Sequence, residues 1–427
     1  MLDIRMIRER ANEVQEAADR RGIDCDIAKL LEIEEGCRQR RAAVEAMRAE
    51  RNARSALIAS LIREGRKSEA EKEKAAAAKL TDRMTADEAE LKRLEDERDR
   101  RLLEVPNWIS PDTPDGTTDE DNVEIRRWGE PTAAEFPVKS HVELGEELDL
   151  LDLRRGVKVG GSRQYVLKGP GLMLHRAVQQ MALDLLDDEG FTLLDVPVMA
   201  KEEAFYATGF FPVGLDQAYR LEEGGHYLAG TAEVPLVAMY AGETLDLTEP
   251  MRLAAATPCF RSEVGKAGKD VHGLYRVHQF AKVEQVVICR ADPELADQWL
   301  ERILAHAEKL LRLLELPYRV VAVCTGDLSY KNYKQYDIET WMPSRGAYGE
   351  THSASNLLDF QARRAGIRYR DDIGRLRYAY TLNNTMAATP RILIPLLENH
   401  QQADGSIRVP EALRPYMRGM GEIRLQP

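Results

Sequence analysis

The first hundred residues carry a repeating pattern of apolar and polar positions that predicts long helices. From Leu30 the seam positions recur at alternating steps of three and four, as packing between two helices requires. They are Leu30, Ile33, Cys37, Arg40, Val44, Met47, Arg51, Arg54, Ile58 and Leu61. The register breaks at Gly65, and a second one runs through Leu80, Met84, Asp87, Leu91 and Leu94. We therefore predict two helices of roughly 35 residues, forming an antiparallel coiled-coil hairpin about 50 Å long, with a short helical segment over 3–20 before it.

Composition changes sharply after the helical pattern. No proline precedes Pro106 and no aromatic residue precedes Trp108. The stretch 106–137 is polar, acidic and punctuated by proline, which is typical of a linker. The sequence thus predicts a helical domain over 1–105, a linker over 106–137 and a second domain over 138–427.

The second domain mixes helical and strand patterns. Helical periodicity over 171–188 and 293–314 alternates with β-rich runs over 283–289 and 318–324. Two strand-like runs, 257–262 and 275–288, follow each other without an intervening helix. That order favours an α+β fold with an antiparallel sheet over a doubly wound parallel sheet.

Charge and cysteine content narrow the class of protein. The net charge of −12 excludes a global basic surface, so any contact with RNA must use a local patch. The five cysteines are scattered without a CxxC pair, which argues against a zinc site or a disulfide framework. No apolar run is long enough to span a membrane and the first residues are charged. We expect a soluble, cytoplasmic protein.

Common nucleotide-binding and hydrolytic signatures are missing from the chain. The segment 265–269 looks like a phosphate loop, but only two residues separate its glycines and the GxxxxGK[ST] spacing fails. There is no GxGxxG after a strand, no HExxH and no GxSxG. If the protein binds a nucleotide, it must use a different type of binding site.

One pair of strand-like runs carries candidate binding residues. Arg261 and Glu263 share one face of the first run, and Arg276, His278 and Phe280 lie on the second. An arginine there can hold a phosphate or carboxylate bidentately, and an aromatic ring can stack on a base. The same residues fit an exposed hairpin with ordinary ion pairs, and the pattern leaves both interpretations open.

Three further charged positions lie in apolar surroundings. Arg391 precedes an apolar helical run and needs an anionic partner or helix-end carbonyls. Glu284 lies inside the apolar run 283–288, where it could meet a ligand amine or hydroxyl, or form a structural salt bridge. Thr231 and Glu233 lie in an apolar, turn-like context that is a weak signal alone.

Several of these segments resemble the motifs of class II aminoacyl-tRNA synthetases. Phe260-Arg-Ser-Glu263 with Arg276-Val-His-Gln-Phe280 is similar to motif 2 (about 258–284). Thr389-Pro-Arg391 with Leu397-Glu-Asn-His-Gln401 is similar to motif 3 (about 383–401), and the segment 190–197 to motif 1. Thr231-Ala-Glu233, Gly349-Glu-Thr-His-Ser353, Asp359-Phe-Gln-Ala-Arg-Arg364 and the hairpin narrow the resemblance to the seryl-tRNA synthetases. The resemblance covers essentially the whole chain.

The resemblance implies a fold and a function. It implies a class II catalytic domain over 138–427, with an antiparallel sheet flanked by helices, and a tRNA-binding arm over 1–105. Such enzymes activate L-serine with Mg-ATP to seryl-adenylate and pyrophosphate, then esterify it to serine tRNA, with selenocysteine tRNA as a second candidate acceptor. A homodimer is implied, with ATP and Mg²⁺ and no zinc. The alternatives are a ligase that loads a small amino acid onto a carrier protein, and a non-catalytic coiled-coil adaptor.

The resemblance also implies roles for particular residues. Arg261 and Arg391 would be catalytic, and the magnesium ligands would be Glu350 and Ser353. The serine-binding residues would be Thr231, Ala232, Glu233, Glu284 and Thr385. The ATP-binding residues would be Arg261, Ser262, Glu263, Val277, Phe280, Glu350, Thr351, His352, Ser353 and Arg391. The arm residues facing tRNA would be Arg38, Arg40, Arg41, Arg48, Arg51 and Arg54. Asn383-Asn384-Thr385 and Ser353-Ala354-Ser355 depart from the Asn-Gly-Ser and Ser-Cys-Ser common in the family.

Overall fold

A computed structural model describes residues 1–131, 135–264 and 273–425 of the chain. By packing, the chain divides into two compact units. One unit contains Leu2–Asp19 and Ile23–Pro106, and the other contains Met1, Arg20–Gly22 and the described residues from Asn107 onward. No helix within these ranges is long and apolar enough to cross a membrane.

The first unit is built around a helical hairpin. Its helices are α1 (Ile4–Glu9), α2 (Ala11–Arg20), α3 (Ile27–Arg63) and α4 (Lys67–Glu104). The predicted pair of long helices is confirmed, with 37 residues in α3 and 38 in α4. Asp26 caps α3 by accepting from the backbone N–H of Lys29. Gly65 turns the chain between the helices at φ +76°, a conformation that favours glycine.

The hairpin seam combines an apolar cluster with ion pairs. Val44 and Met47 of α3 pack with Leu80 and Met84 of α4 in a buried cluster, as the heptad register predicts. The charged seam residue Arg40 pairs with Asp87 on the opposite helix. Charges in the seam are therefore compensated across the hairpin.

The second unit is an α+β domain, so the predicted fold class is confirmed. Its helices are α5 (His141–Glu147), α6 (Leu153–Gly160), α7 (Gly169–Asp188), α8 (Glu202–Ala207), α9 (Glu233–Ala238), α10 (Pro293–Leu313), α11 (Phe360–Ala365) and α12 (Leu393–Asn399). Its strands are β1 (Val123–Trp128), β2 (Thr192–Leu194), β3 (Met199–Lys201), β4 (Tyr219–Arg220), β5 (His226–Leu228), β6 (Thr244–Leu245), β7 (Met251–Phe260), β8 (Gln279–Cys289), β9 (Tyr318–Ala322), β10 (Lys334–Met342), β11 (Ala347–Asn356), β12 (Arg368–Arg370), β13 (Leu376–Tyr378), β14 (Tyr380–Thr389), β15 (Ile407–Arg408) and β16 (Glu422–Ile423).

The main sheet has eight strands in the order β1-β9-β10-β11-β14-β8-β7-β2. Neighbours are antiparallel except for the short β2, which runs parallel to β7. The central strand β8 places Glu284 between Ala255 of β7 and Thr385 of β14. Two residues far apart in sequence, Glu284 and Thr385, thereby become neighbours.

Side-chain alternation along β8 separates core from cavity. Val283 and Val287 pack in the cluster formed with α7 and α10, and Gln285 donates to the carbonyl oxygen of Ile303 in α10. Because successive side chains point to opposite faces, Lys282 and Glu284 face away from these helices. This second face is therefore charged at Lys282 and Glu284, whereas Val286 and Ile288 further along β8 pack there in an apolar cluster with α9 and α11.

The structure corrects the sequence prediction in two places. The predicted linker over 106–137 contains β1, which joins the edge of the main sheet by pairing with β9. Val123 and Ile125 alternate with charged residues, but these apolar side chains are the exposed ones, so burial does not follow the apolar pattern. The predicted strand over 275–288 begins only at Gln279, since the described residues before it form turns.

Candidate active site

The charged face of the main sheet opens into a cavity of about 620 Å³. A smaller cavity of about 60 Å³ lies over the ends of β8 and β14. The predicted site residues lining the larger cavity are Thr231, Glu233, Arg261, Glu263, Glu284, Glu350, Ser353 and Thr385. Those lining the smaller one are Arg261, Glu263, Val277, Phe280, Glu350, Thr351, Thr385 and Arg391. Shared lining residues show that the two cavities adjoin.

Two buried carboxylates lie at one end of the larger cavity, each with a lysine. Glu233, at the start of α9, receives Lys331 Nζ at 2.7 Å and Gln361 Nε2 at 2.6 Å on the same oxygen, Oε1. Glu284 forms an ion pair with Lys282 on the same face of β8. The cavity is therefore polar but close to charge balance at this end.

Burial is the largest influence on the pKa values of Glu284 and Lys331. It raises the pKa of the Glu284 carboxyl, against the opposing effect of Lys282. It lowers the pKa of Lys331, against the opposing effect of Glu233. In both cases removal from water disfavours the charged form, so the ion-pair partner is what keeps the charge.

Arg261 extends from the end of β7 toward the middle of the site. Its Nε donates to the carbonyl oxygen of Gly230 at 3.3 Å, and its guanidinium lies 5.2 Å from the centre of the Phe280 ring. Glu263, two residues further on, pairs with Arg276 at 3.3 Å. These contacts place a cation, an aromatic face and a carboxylate side by side.

Arg391 marks the other end of the site. Its Nε donates to the carbonyl oxygen of Tyr275 at 3.1 Å, and Nη1 lies 3.4 Å from Glu350 Oε2. The guanidinium also lies 4.5 Å from the centre of the Tyr275 ring, which Arg345 contacts at 4.0 Å. Arg391 therefore contacts a carboxylate together with backbone carbonyls that do not belong to a helix end.

Oxygen donors converge near Glu350 and Ser353 on β11. Gln335 Nε2 donates to Ser353 Oγ at 3.1 Å and to Asp337 Oδ1 at 2.9 Å. Burial, and after it the negative charge of Glu350, raises the pKa of Asp337 well above its usual range. Carboxylate and hydroxyl oxygens are ligands suited to a hard cation such as Mg²⁺. Within the described ranges, no group of three or more His, Cys, Asp or Glu side chains forms a metal cluster.

Three predicted site residues do not line either cavity. Ala232 is buried in an apolar cluster with residues of β7 and β8. Ser262 donates its hydroxyl to the carbonyl oxygen of Asp216 at 2.6 Å. His352 is buried beside Thr351, and burial lowers the pKa of its imidazole to about 4. The segment 265–269, dismissed above as a phosphate loop, lies outside the described residues.

The structure adds residues that the sequence prediction missed. Lys282 and Lys331 supply the cations paired with Glu284 and Glu233. Asn383 lines the cavity with a buried Nδ2 that has no hydrogen-bond partner among the described residues. Lys282 could have been found from its spacing, because it lies two residues before Glu284 on one strand. Lys331 could not, since its partner is 98 residues away.

On the hairpin unit, the predicted tRNA-facing arginines lie along α3, most of them in ion pairs. Arg38 pairs with Glu35 of the same helix at 3.0 Å, whereas Arg41 and Arg48 pair with Glu95 and Glu88 of α4 at 2.5 and 2.7 Å. The remaining three are Arg40, which pairs with Asp87, Arg54, which pairs with Glu50 and Glu73, and Arg51, which is half-buried. Exposed pairs of this kind contribute roughly 0–1 kcal/mol, so a phosphate can compete for the arginines.

The second unit matches a known class of enzyme core. Residues 219–400 match the family model described as tRNA synthetase class II core domain (G, H, P, S and T). The unit with the eight-stranded sheet therefore contains a class II aminoacyl-tRNA synthetase core. Residues 1–109 match the model of the seryl-tRNA synthetase N-terminal domain.

Full-length relatives then define the family. The chain is 47% identical to a serine–tRNA ligase of Deinococcus radiodurans, with 100% of both chains covered. A solved seryl-tRNA synthetase of Pyrococcus horikoshii, complexed with ATP, superposes with a TM-score of 0.92 at 37% identity over 100% of both chains. A cytoplasmic serine–tRNA ligase of Naegleria fowleri, in complex with AMP, gives 0.87 at 27% identity, covering 100% of this chain and 99% of the other. This chain belongs to the seryl-tRNA synthetase family.

Proposed function

We propose that the chain is a serine–tRNA ligase that activates L-serine with ATP and transfers it to serine tRNA. The observation that carries this proposal is that Arg261 lines both adjoining cavities: the larger one with the buried carboxylates Glu233 and Glu284, and the smaller one with the aromatic ring of Phe280. The carboxylates suit the amine and hydroxyl of serine. The arginine and the ring suit a nucleotide phosphate and base.

In the first step the serine carboxylate attacks the α-phosphorus of ATP and pyrophosphate leaves. This brings two anions together, and Arg261 would bridge them. Phe280 offers its ring to the adenine, and Arg391 would exchange its contact with Glu350 for the γ-phosphate. The protein then acts by positioning and charge stabilisation, without a covalent intermediate on the enzyme.

Glu350 and Ser353 would hold Mg²⁺ in this site. Their carboxylate and hydroxyl oxygens fit a hard cation, and the bound metal would neutralise phosphate charge. Gln335 positions Ser353, because its amide donates to both Ser353 and Asp337. The chain's own contribution is therefore a carboxylate and a hydroxyl on β11, of which the hydroxyl is held by Gln335.

Discrimination among amino acids would follow from the polar groups that line the cavity. Glu284, Thr385 and the partnerless Nδ2 of Asn383 line it and would bond the polar atoms of serine. Alanine would leave Asn383 Nδ2 buried and without a partner, which penalises its binding. Threonine adds only a methyl group and must be excluded by shape.

For the second step, we propose that the hairpin binds the tRNA backbone through the arginines of α3. Arg38, Arg41 and Arg48 keep about half of their side chains exposed despite their ion pairs. Exchange of a glutamate partner for a phosphate is favourable when several arginines act along one strand. Serine tRNA is the proposed acceptor and selenocysteine tRNA is a second one.

The proposal includes a homodimer that acts in the cytoplasm, where ribosomes consume its product. Four apolar side chains are exposed in and after α6 and at the start of α7, which supports a surface covered by a second copy. They are Val157 at 48%, Val159 at 87%, Val166 at 37% and Leu172 at 46% exposure.

The test is transfer of labelled serine to unfractionated tRNA with ATP and magnesium, beside serine-dependent ATP–pyrophosphate exchange. The full chain should do both, and a chain lacking 30–100 should retain exchange and lose tRNA charging. Equal loss of both activities on deletion would contradict the role of the arm. Pyrophosphate exchange without tRNA charging by the full chain would indicate another acceptor, such as a carrier protein. No activity in either assay would indicate an adaptor.

A further inference from the structure

Lys331 is a buried cation whose contacts the proposed mechanism does not use. It lies between β9 and β10, with its side chain 11% exposed and that of its partner Glu233 5% exposed. Its Nζ is 2.7 Å from Glu233 Oε1 and 3.9 Å from the centre of the Phe210 ring. Both Lys331 and Glu233 line the larger cavity.

The two oxygens of Glu233 have different surroundings. Oε1 accepts from Lys331 Nζ and also from Gln361 Nε2 at 2.6 Å. Across residues 1–131, 135–264 and 273–425, no donor bonds to Oε2. The carboxylate is therefore held by one oxygen, while the other remains for a ligand in the cavity.

We propose that Lys331 is a positioning residue, which with Gln361 holds Glu233 as an oriented anion and so sets the affinity for the amine of the amino-acid substrate. This inference rests on the proposed function, in which Glu233 belongs to the serine end of the site. Gln361 supplies orientation, because its amide is neutral. Lys331 supplies the charge.

The charges around Glu233 explain why the lysine is needed. The titratable groups that face the pair from β8 are Lys282 and Glu284, and these are already paired with each other. The other charged residues lining the cavity are Arg261, Glu263, Arg276 and Glu350. Without Lys331, Glu233 would be a buried carboxylate near Glu284 with only an amide donor. The carboxylate would then be held by the Gln361 amide alone, and removing one partner of a buried pair is strongly unfavourable.

The experiment compares Lys331→Met and Lys331→Gln with the wild type in ATP–pyrophosphate exchange at neutral pH. We expect the KM for serine to rise at least ~10-fold in both variants. The KM for ATP should stay within about twofold of wild type, since the phosphate-facing residues are intact. Lys331→Arg should restore most of the serine affinity.

Lys331→Gln separates charge from hydrogen bonding, and it remains informative if Lys331→Met is unstable. A wild-type KM for serine in Lys331→Gln would overturn the proposal, as would an equal rise in the KM for ATP. Lys334→Met is the matched control. Lys334 lies three residues after Lys331, pairs with Asp112 and does not line the cavity. The same defect in Lys334→Met would also overturn it. Failure of the proposed function itself is distinct, because the wild type would then show no serine-dependent exchange.

Discussion

Replacing Glu284 with glutamine tests whether its charge serves the ligand, the fold or both. The side chain is 2% exposed and pairs with Lys282, which is 8% exposed. Glu284→Gln keeps the volume but leaves the lysine buried without its anion. Breaking a buried pair in this way costs about 3–5 kcal/mol of folding free energy. Loss of a charge-assisted bond to the serine amine costs a further 1.5–3 kcal/mol of binding, or roughly 10- to 100-fold in the KM for serine.

The assay combines chemical denaturation with serine-dependent pyrophosphate exchange. The double variant Lys282→Met/Glu284→Gln should recover most of the lost stability, because no unpaired charge remains buried. It should not recover the affinity for serine. Since burial raises the pKa of Glu284, acidification should protonate it and raise the KM for serine in the wild type, but not in Glu284→Gln.

Two results would refute this reasoning. A Glu284→Gln enzyme that is unstable but has a normal KM for serine would reduce Glu284 to a structural salt-bridge residue. A double variant that regains both stability and serine affinity would show that Glu284 acts only by neutralising Lys282. Either outcome would leave Glu233 as the carboxylate that recognises the serine amine.

Arg391→Ala should lower kcat/KM for pyrophosphate exchange by roughly 10²- to 10³-fold through lost phosphate stabilisation; wild-type kinetics would instead favour an adaptor. Met84→Ala in the apolar cluster of the hairpin should destabilise the hairpin by about 2–5 kcal/mol in chemical denaturation, and a change below about 1 kcal/mol would contradict tight packing there. Burial pushes the pKa of Glu398 up, but hydrogen bonds from His141 and Ser344 outweigh it and hold that pKa below its usual value. Its stabilising contribution is thus present above the unfolded pKa of a glutamate and is lost as the pH falls through the lower folded pKa. The acid-induced loss of stability should be smaller in Glu398→Gln, and an unchanged pH dependence would refute this.

The helical hairpin and the charged face of β8 were predictable because their signals are local. Heptad steps place Val44 and Met47 on one side of α3 whatever the rest of the chain does. The alternation of Lys282, Val283 and Glu284 puts both charges on one face in the same way. Resemblance to known motifs predicted roles for Arg261 and Arg391, and both side chains line the smaller cavity.

Other features were decided by tertiary structure alone. The strand β1 leaves its apolar side chains exposed and is held by backbone pairing with the edge of β9. The row of arginines on α3 suggests a free basic surface, whereas the fold supplies glutamates from α4.

The sequence by itself determined the helices, the strand alternation and the chemical types available, because these depend on neighbours two to four residues apart. The pairing of Lys331 with Glu233, and the meeting of Glu284 with Thr385, were decided only by the tertiary structure. Such contacts depend on the path of loops and on strand register, which fix distances between residues about a hundred positions apart. Burial then sets the charge state of each group, and burial is a property of the whole packed unit rather than of any local segment.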